Sequence, residues 1–140
     1  MFTPADVEIA IYRLEAFETL NNKFDEFIDL LSDFLDNNEN YKIETGEVNG
    51  HIAIEIFFIP IVLQLAMILD DAQNPLGKLC FFKKMPLDSK NEYEQIWEIY
   101  FDETGRFKSD SAENFHPYVL TENRGVEYCL IKLVDIMMAK

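Results

Sequence analysis

The run His51–Asp70, HIAIEIFFIPIVLQLAMILD, is the most apolar stretch of the 140-residue chain and the one that cannot be left in water. Its 18 residues from Ile52 to Leu69 are long enough to raise a membrane span, but Glu55, Pro60 and Gln64 interrupt them and no cationic flank sets an orientation. A buried core element is therefore expected. From His51 to Ile59 the residues alternate, the isoleucines are β-branched, and Asn49-Gly50 stands just before them, which predicts a strand entered through a two-residue hairpin turn. Pro60 has no N–H for a ladder and is expected to bend or end that strand. Ile61 to Leu69 reads either as buried helix or as a second strand. Leu, Gln, Ala and Met favour helix by propensity, whereas Leu69 to Gly77 has the composition of a hairpin turn with Lys78 to Met85 as its return arm. The turn chemistry predicts a strand.

A two-residue loop at Asn49-Gly50 fixes the pairing upstream, where Tyr41 to Val48 alternates as a strand. It sets Val48 against His51, Gly46 against Ala53, Glu44 against Glu55 and Lys42 against Phe57. Ile43, Thr45, Ile52, Ile54, Ile56 and Phe58 then share the core face. Downstream, Pro86 to Lys90 is a polar loop, and Glu92 to Asp102 alternates again. That places Tyr93, Gln95, Trp97, Ile99 and Phe101 on one side and Glu94, Ile96, Glu98, Tyr100 and Asp102 on the other. Asp102 to Arg106 makes a further turn in which Gly105 supplies a positive φ, with a short return near Phe107. The result is an antiparallel sheet of about five or six strands.

Helices flank this sheet in sequence. Thr3-Pro4 combines a capping hydroxyl with a proline where its missing N–H does no harm, and helical spacing continues to about Asp36. Val7, Ala10, Leu14, Phe17, Phe24, Ile28, Leu31 and Leu35 recur three or four apart and predict the buried stripe. The register passes through Asn21. Average helix length favours two helices divided at Asn21-Asn22; the alternative is one long helix with a polar residue in the seam of a dimer. Near the other end, Val126 to Ala139 keeps helical spacing after Gly125 and is expected to close the fold against the sheet, while Ser109 to Arg124 shows no regular pattern. The fold class is α+β, in a single domain over residues 1–140.

Twenty-six acids against twelve bases give a net charge of −14, which argues against nucleic acid or an anionic membrane as partner, since both are met by cations. Cys80 and Cys129 are far apart, each in an apolar stretch, with no CxxC, and read as free thiols of a reducing compartment. The opening Met1 to Asp6 has neither a basic nor an apolar leader segment, and a cytoplasmic location is expected.

The acids are not evenly spread. Glu18, Asp25, Asp29, Asp33 and Asp36 fall three, four or seven apart on the first helical segment, with Lys23 the nearby base. Like charges at that spacing cost roughly 0.2–0.5 kcal/mol per pair, so the row is either a docking face for a basic protein or the solvated face of an acidic chain. A second acidic surface, Glu94, Glu98, Tyr100 and Asp102 continued by Glu103, adds an aromatic side chain of the kind that receives Arg or Lys, or else is the solvent face of a half-buried strand.

Other chemistry is sparse. Asp36 to Glu47 resembles an EF-hand calcium loop in its oxygen-bearing positions, but Tyr41 stands where that loop needs glycine and Asn49-Gly50 stops any exiting helix. Glu44 facing Glu55 is a like-charge pair that Lys42 can offset, and a paired-carboxylate site there has no further group converging on it. His51 and His116 have no ligand spacing, and no nucleophile elbow, phosphate loop or dinucleotide fingerprint occurs. No catalytic residue, metal or cofactor is expected. The reading is an acidic binding or inhibitor protein, monomeric or homodimeric, of the bacterial immunity type that neutralises a basic toxin or nuclease. Two alternatives are a DNA mimic that blocks a nucleic-acid-binding protein, and a small enzyme or ligand-binding domain using Glu44, Glu55 or His116.

Overall fold

The computed structural model describes residues 2–37, 43–48, 50–109 and 114–139. In chain order these form α1 (Pro4–Asp36), β1 (Ile43–Val48), β2 (His51–Ile56), β3 (Ile59–Leu69), β4 (Pro75–Lys84), β5 (Tyr93–Phe101), β6 (Phe107–Lys108) and α2 (Asn123–Met138). The six strands make one antiparallel sheet in the order of the sequence, each paired with the next. Buried side chains of both helices join the core cluster on one face of that sheet. This is the expected α+β arrangement.

Residues Pro4–Asp36 form one helix, not the pair favoured by average length. Asn21 and Asn22 are exposed and merely poor helix formers, while Leu20 and Phe24 on either side are buried and hold the backbone through that point. The start is capped as read: the Thr3 N–H donates to Asp6 Oδ2 at 2.8 Å and the Asp6 N–H donates to Thr3 Oγ1 at 3.2 Å. The buried stripe differs from the expected one. Ala16, Leu20, Phe24, Phe27, Leu31 and Leu35 are buried, all but Ala16 within the core cluster, whereas Val7, Leu14 and Phe17 remain exposed. Thirty-three helical residues span about 50 Å and the 11 residues of β3 about 36 Å, so the sheet is too short to cover the whole helix.

The β1–β2 hairpin has the predicted register: Val48 opposite His51, Gly46 opposite Ala53 and Glu44 opposite Glu55. Lys42, the partner expected for Phe57, lies outside the described residues. The next turn differs from the expected one. β2 ends at Ile56, and Phe57-Phe58 form a two-residue hairpin tip, so Phe58 is exposed instead of in the core. Thr45 does lie on the expected face, opposite Ile54 and accepting from Ser32 Oγ of α1 at 3.5 Å, but it is exposed. Pro60 does not stop the ladder, because it is the second residue of β3, opposite Glu55. In a two-residue hairpin the Ile56–Ile59 pair exchanges the hydrogen bonds, so the nitrogen of Pro60 points away from β2. Pairing with β4 begins only at Ile61, and no bond is lost.

β3 pairs with β4 from Leu69–Pro75 through Ile61–Lys83, which settles residues 61–69 as strand. The turn between them is held by the Asp70 carboxylate, which accepts from the Ala72 and Asn74 N–H groups at 2.9 and 2.8 Å. A bulge between Phe81 and Phe82 shifts the register with β5 and breaks the expected alternation there. Trp97, Ile99 and Phe101 stay on the core side, but Gln95 and Tyr93 cross to the opposite face and Ile96 packs toward the core. Gly105 turns with φ +89° as predicted, and α2 begins three residues earlier than Val126. A side chain at Gly125 would strike the Val119 carbonyl, which explains a glycine buried inside that helix.

Candidate functional site

The acidic row lies on the outer side of α1. At about 100° per residue, Glu18, Asp25, Asp29, Asp33 and Asp36 fall within a sector of about 80°, roughly opposite the stripe that meets the sheet. All five are exposed, and none of their side chains has a hydrogen-bond or ion-pair partner among the described residues. Lys23, the base within the row, reaches instead to Glu26 at 3.7 Å. The sheet beneath fixes Leu20, Phe24, Phe27, Leu31 and Leu35, so the carboxylates stand on a rigid support.

The second acidic surface is largely satisfied from within the chain. Glu98 receives Lys78 Nζ at 3.3 Å, Tyr100 Oη at 3.0 Å and Gln95 Nε2 at 3.0 Å. Burial pushes the Glu98 carboxyl up, but those three donors outweigh it and hold the group below the usual carboxylate range. Tyr100 is buried and not an exposed aromatic. Asp102 pairs with Arg106 at 2.9 Å and also accepts from the Thr104 and Arg106 N–H groups, so its work is to close the β5–β6 turn. Glu94 is exposed and Glu103 half-buried. The structure therefore does not gather this set with the helical acids.

Two features carry signals that residue type alone did not reveal. At the β2–β3 tip, Phe57 and Phe58 have φ of 52° and 65°, and both are exposed, Phe58 by 83%. A left-handed backbone costs a bulky residue on the order of 1–2 kcal/mol, and asparagine or glycine would fill this turn without strain. Ile43, the first strand residue after α1, pairs with Ile56, so this tip lies at the end of the sheet to which the helix delivers the chain. The other feature is the first four turns of α1. Phe2 to Leu14 are exposed except for the half-buried Arg13, and Leu14 is 70% exposed. Val7, Ile11 and Leu14 share one side of these turns and are exposed.

The remaining candidates do not converge. Glu44 and Glu55 are register partners across β1–β2, while His116 sits beside β6, packed between Phe107 and Tyr128 with a ring nitrogen 3.2 Å from Tyr128 Oη. Four strand spacings, roughly 19 Å, separate β2 from β6. Among the described residues no three His, Cys, Asp or Glu side chains are grouped to hold a metal ion. Residues 38–42 of the EF-hand-like stretch lie outside the described residues, and its last five positions, 43–47, are part of strand β1 and so do not lead into a helix. A depression of about 300 Å³ against Phe24, Gly50, His51, Ile52 and Leu63 offers His51 as its titratable group. Cys129 is buried and Cys80 half-buried, and burial raises the thiol pKa of each, the reverse of what a reactive cysteine needs. No helix among the described residues is long and apolar enough to cross a membrane. The chain matches no protein-family model, no curated protein and no solved structure.

Proposed function

We propose that the chain is a binding protein of the immunity or inhibitor type, and that the acidic face of α1 docks a basic protein partner such as a toxin or nuclease. The observation that carries this reading is the row Glu18, Asp25, Asp29, Asp33 and Asp36, exposed, without partners among the described residues, and mounted on a sheet-backed helix. Such a field speeds encounter with a cationic surface and penalises acidic competitors. The strained aromatic tip at the same end of the sheet adds the apolar anchor that charge alone does not provide.

The DNA-mimic alternative is weaker on magnitude. Duplex DNA carries one charge per about 1.7 Å, whereas five carboxylates over about 27 Å of helix give roughly one per 5 Å. The enzyme alternative loses support from the separation of Glu44 and Glu55 from His116.

Affinity capture from the source lysate tests the proposal, using wild type beside Asp25→Asn/Asp29→Asn/Asp33→Asn. Wild type should retain a basic protein that is released by about 0.5 M salt, where charges more than a few ångströms apart are screened, and the triple variant should retain little of it. A partner held equally by both proteins, or no basic partner at all, would contradict the reading.

A further inference from the structure

We propose that two copies of the chain associate by antiparallel pairing of the overhanging first four turns of α1. Its seam residues are not those of the acidic face, whose charge enters only in choosing the occupant and setting the orientation. Val7, Ala10, Leu14 and Phe17 recur in the three-four spacing of a heptad seam, with Ile11 beside them, and all five are exposed. The seam points about 100° away from the stripe that meets the sheet, so the chain's own core cannot absorb it. Beyond Phe17 the same seam reaches Asn21, and from there the sector turns acidic.

Charge selects the occupant. Residues 2–17 hold three acids, Asp6, Glu8 and Glu15, against Arg13, a net of −2. Residues 18–36 hold six acids, Glu18, Asp25, Glu26, Asp29, Asp33 and Asp36, against Lys23, a net of −5. A cationic partner is drawn to the second half, while the first can meet its own copy at little electrostatic cost. Orientation follows from the same count. A parallel pair would bring the two acidic halves side by side and force the two sheets together. An antiparallel pair, with Val7 layered on the partner copy's Phe17 and Ala10 on its Leu14, sends both to opposite ends. Covering the five seam residues on both copies buries on the order of 1,000 Å² in total, near the lower edge of stable interfaces, so dissociation in the range of about 1–100 μM is expected.

Sedimentation equilibrium over about 1–200 μM tests this, with wild type beside Leu14→Glu. Wild type should pass from monomer to dimer, and Leu14→Glu should stay monomeric with unchanged circular dichroism, because Leu14 touches no core. Orientation is read from spin-label distances in Cys80→Ser/Asp25→Cys: the antiparallel pair places the two labels about 40 Å apart and a parallel pair under about 20 Å. Wild type monomeric at the highest concentration, a dimer that survives Leu14→Glu, or the short label distance would each overturn the proposal.

Discussion

The two halves of α1 are continuous in backbone and opposite in what surrounds them. From Ala16 onward the helix loses one stripe to the sheet, with Leu20 fully buried and Phe27 nearly so, and turns its acids outward. Before Ala16 its residues are exposed apart from the half-buried Arg13, and the sector that is acidic further on carries Val7, Ile11 and Leu14, with Glu15 at its edge. One helix therefore presents two surfaces of different chemistry. Helix spacing in sequence does not distinguish them, because periodicity reports which residues share a face and not whether anything covers it.

That contrast is sharpest in stability. Leu20→Ala should cost about 2–5 kcal/mol through lost transfer energy and a cavity beneath the helix. Leu14→Ala, measured at concentrations where the chain is monomeric, should stay within about 0.5 kcal/mol. Urea unfolding of the two variants decides it; similar losses would mean that the first turns are packed and that the two halves do not differ.

The hairpin tip repeats the contrast in miniature, since Phe57 and Phe58 are apolar, uncovered and held at positive φ. Replacing them with Asn-Gly should stabilise the monomer by roughly 1–3 kcal/mol, as the left-handed turn then suits its residues. Thermal unfolding reads this directly. A loss of stability would show that the two rings pack in a way their exposure denies.

Smaller effects separate the acidic half from ordinary surface. Asp29→Lys converts its neighbours Asp25 and Asp33 from like-charge to opposite-charge pairs at i,i+4, and should raise stability by up to about 1 kcal/mol at low ionic strength. The gain should fade as salt is added. No gain at low salt would indicate that the row is already neutralised. The β4–β5 surface, where the carboxylate does have partners, should behave differently. The Glu98 pKa is held below its unfolded value, so its contribution to stability is present above the ordinary glutamate pKa of about 4.3 and is lost as pH falls through the lowered folded-state value. Glu98→Gln should therefore remove at most about 1 kcal/mol near neutrality and flatten the acid side of the stability profile. An unchanged profile would mean that the Lys78 and Tyr100 contacts carry no net energy.

Much of the sheet was legible because its turns announce themselves. Asn49-Gly50 fixed the β1–β2 register residue by residue, Gly105 marked the β5–β6 turn, and the polar stretch from Asp70 favoured strand over helix for Ile61 to Leu69. Phe57-Phe58 left no such mark, since nothing in two phenylalanines signals positive φ, and Pro60 drew attention to the wrong residue. The bulge at Phe81/Phe82 was hidden for a similar reason: a single inserted residue reverses faces without disturbing composition. Of the acidic residues, sequence spacing found the helical row, but it could not show that Glu98 and Asp102 are claimed by Lys78 and Arg106, which are brought to them by strand pairing and by a turn.

The account depends on α1 being one helix with a backed half and a bare half, and backbone hydrogen exchange along it at two protein concentrations tests that most directly. Residues 20–35 should be strongly protected at every concentration. Residues 5–14 should exchange rapidly when dilute and become protected only as the chain associates. Equal protection of both halves in dilute solution, or a break in protection at Asn21-Asn22, would contradict it.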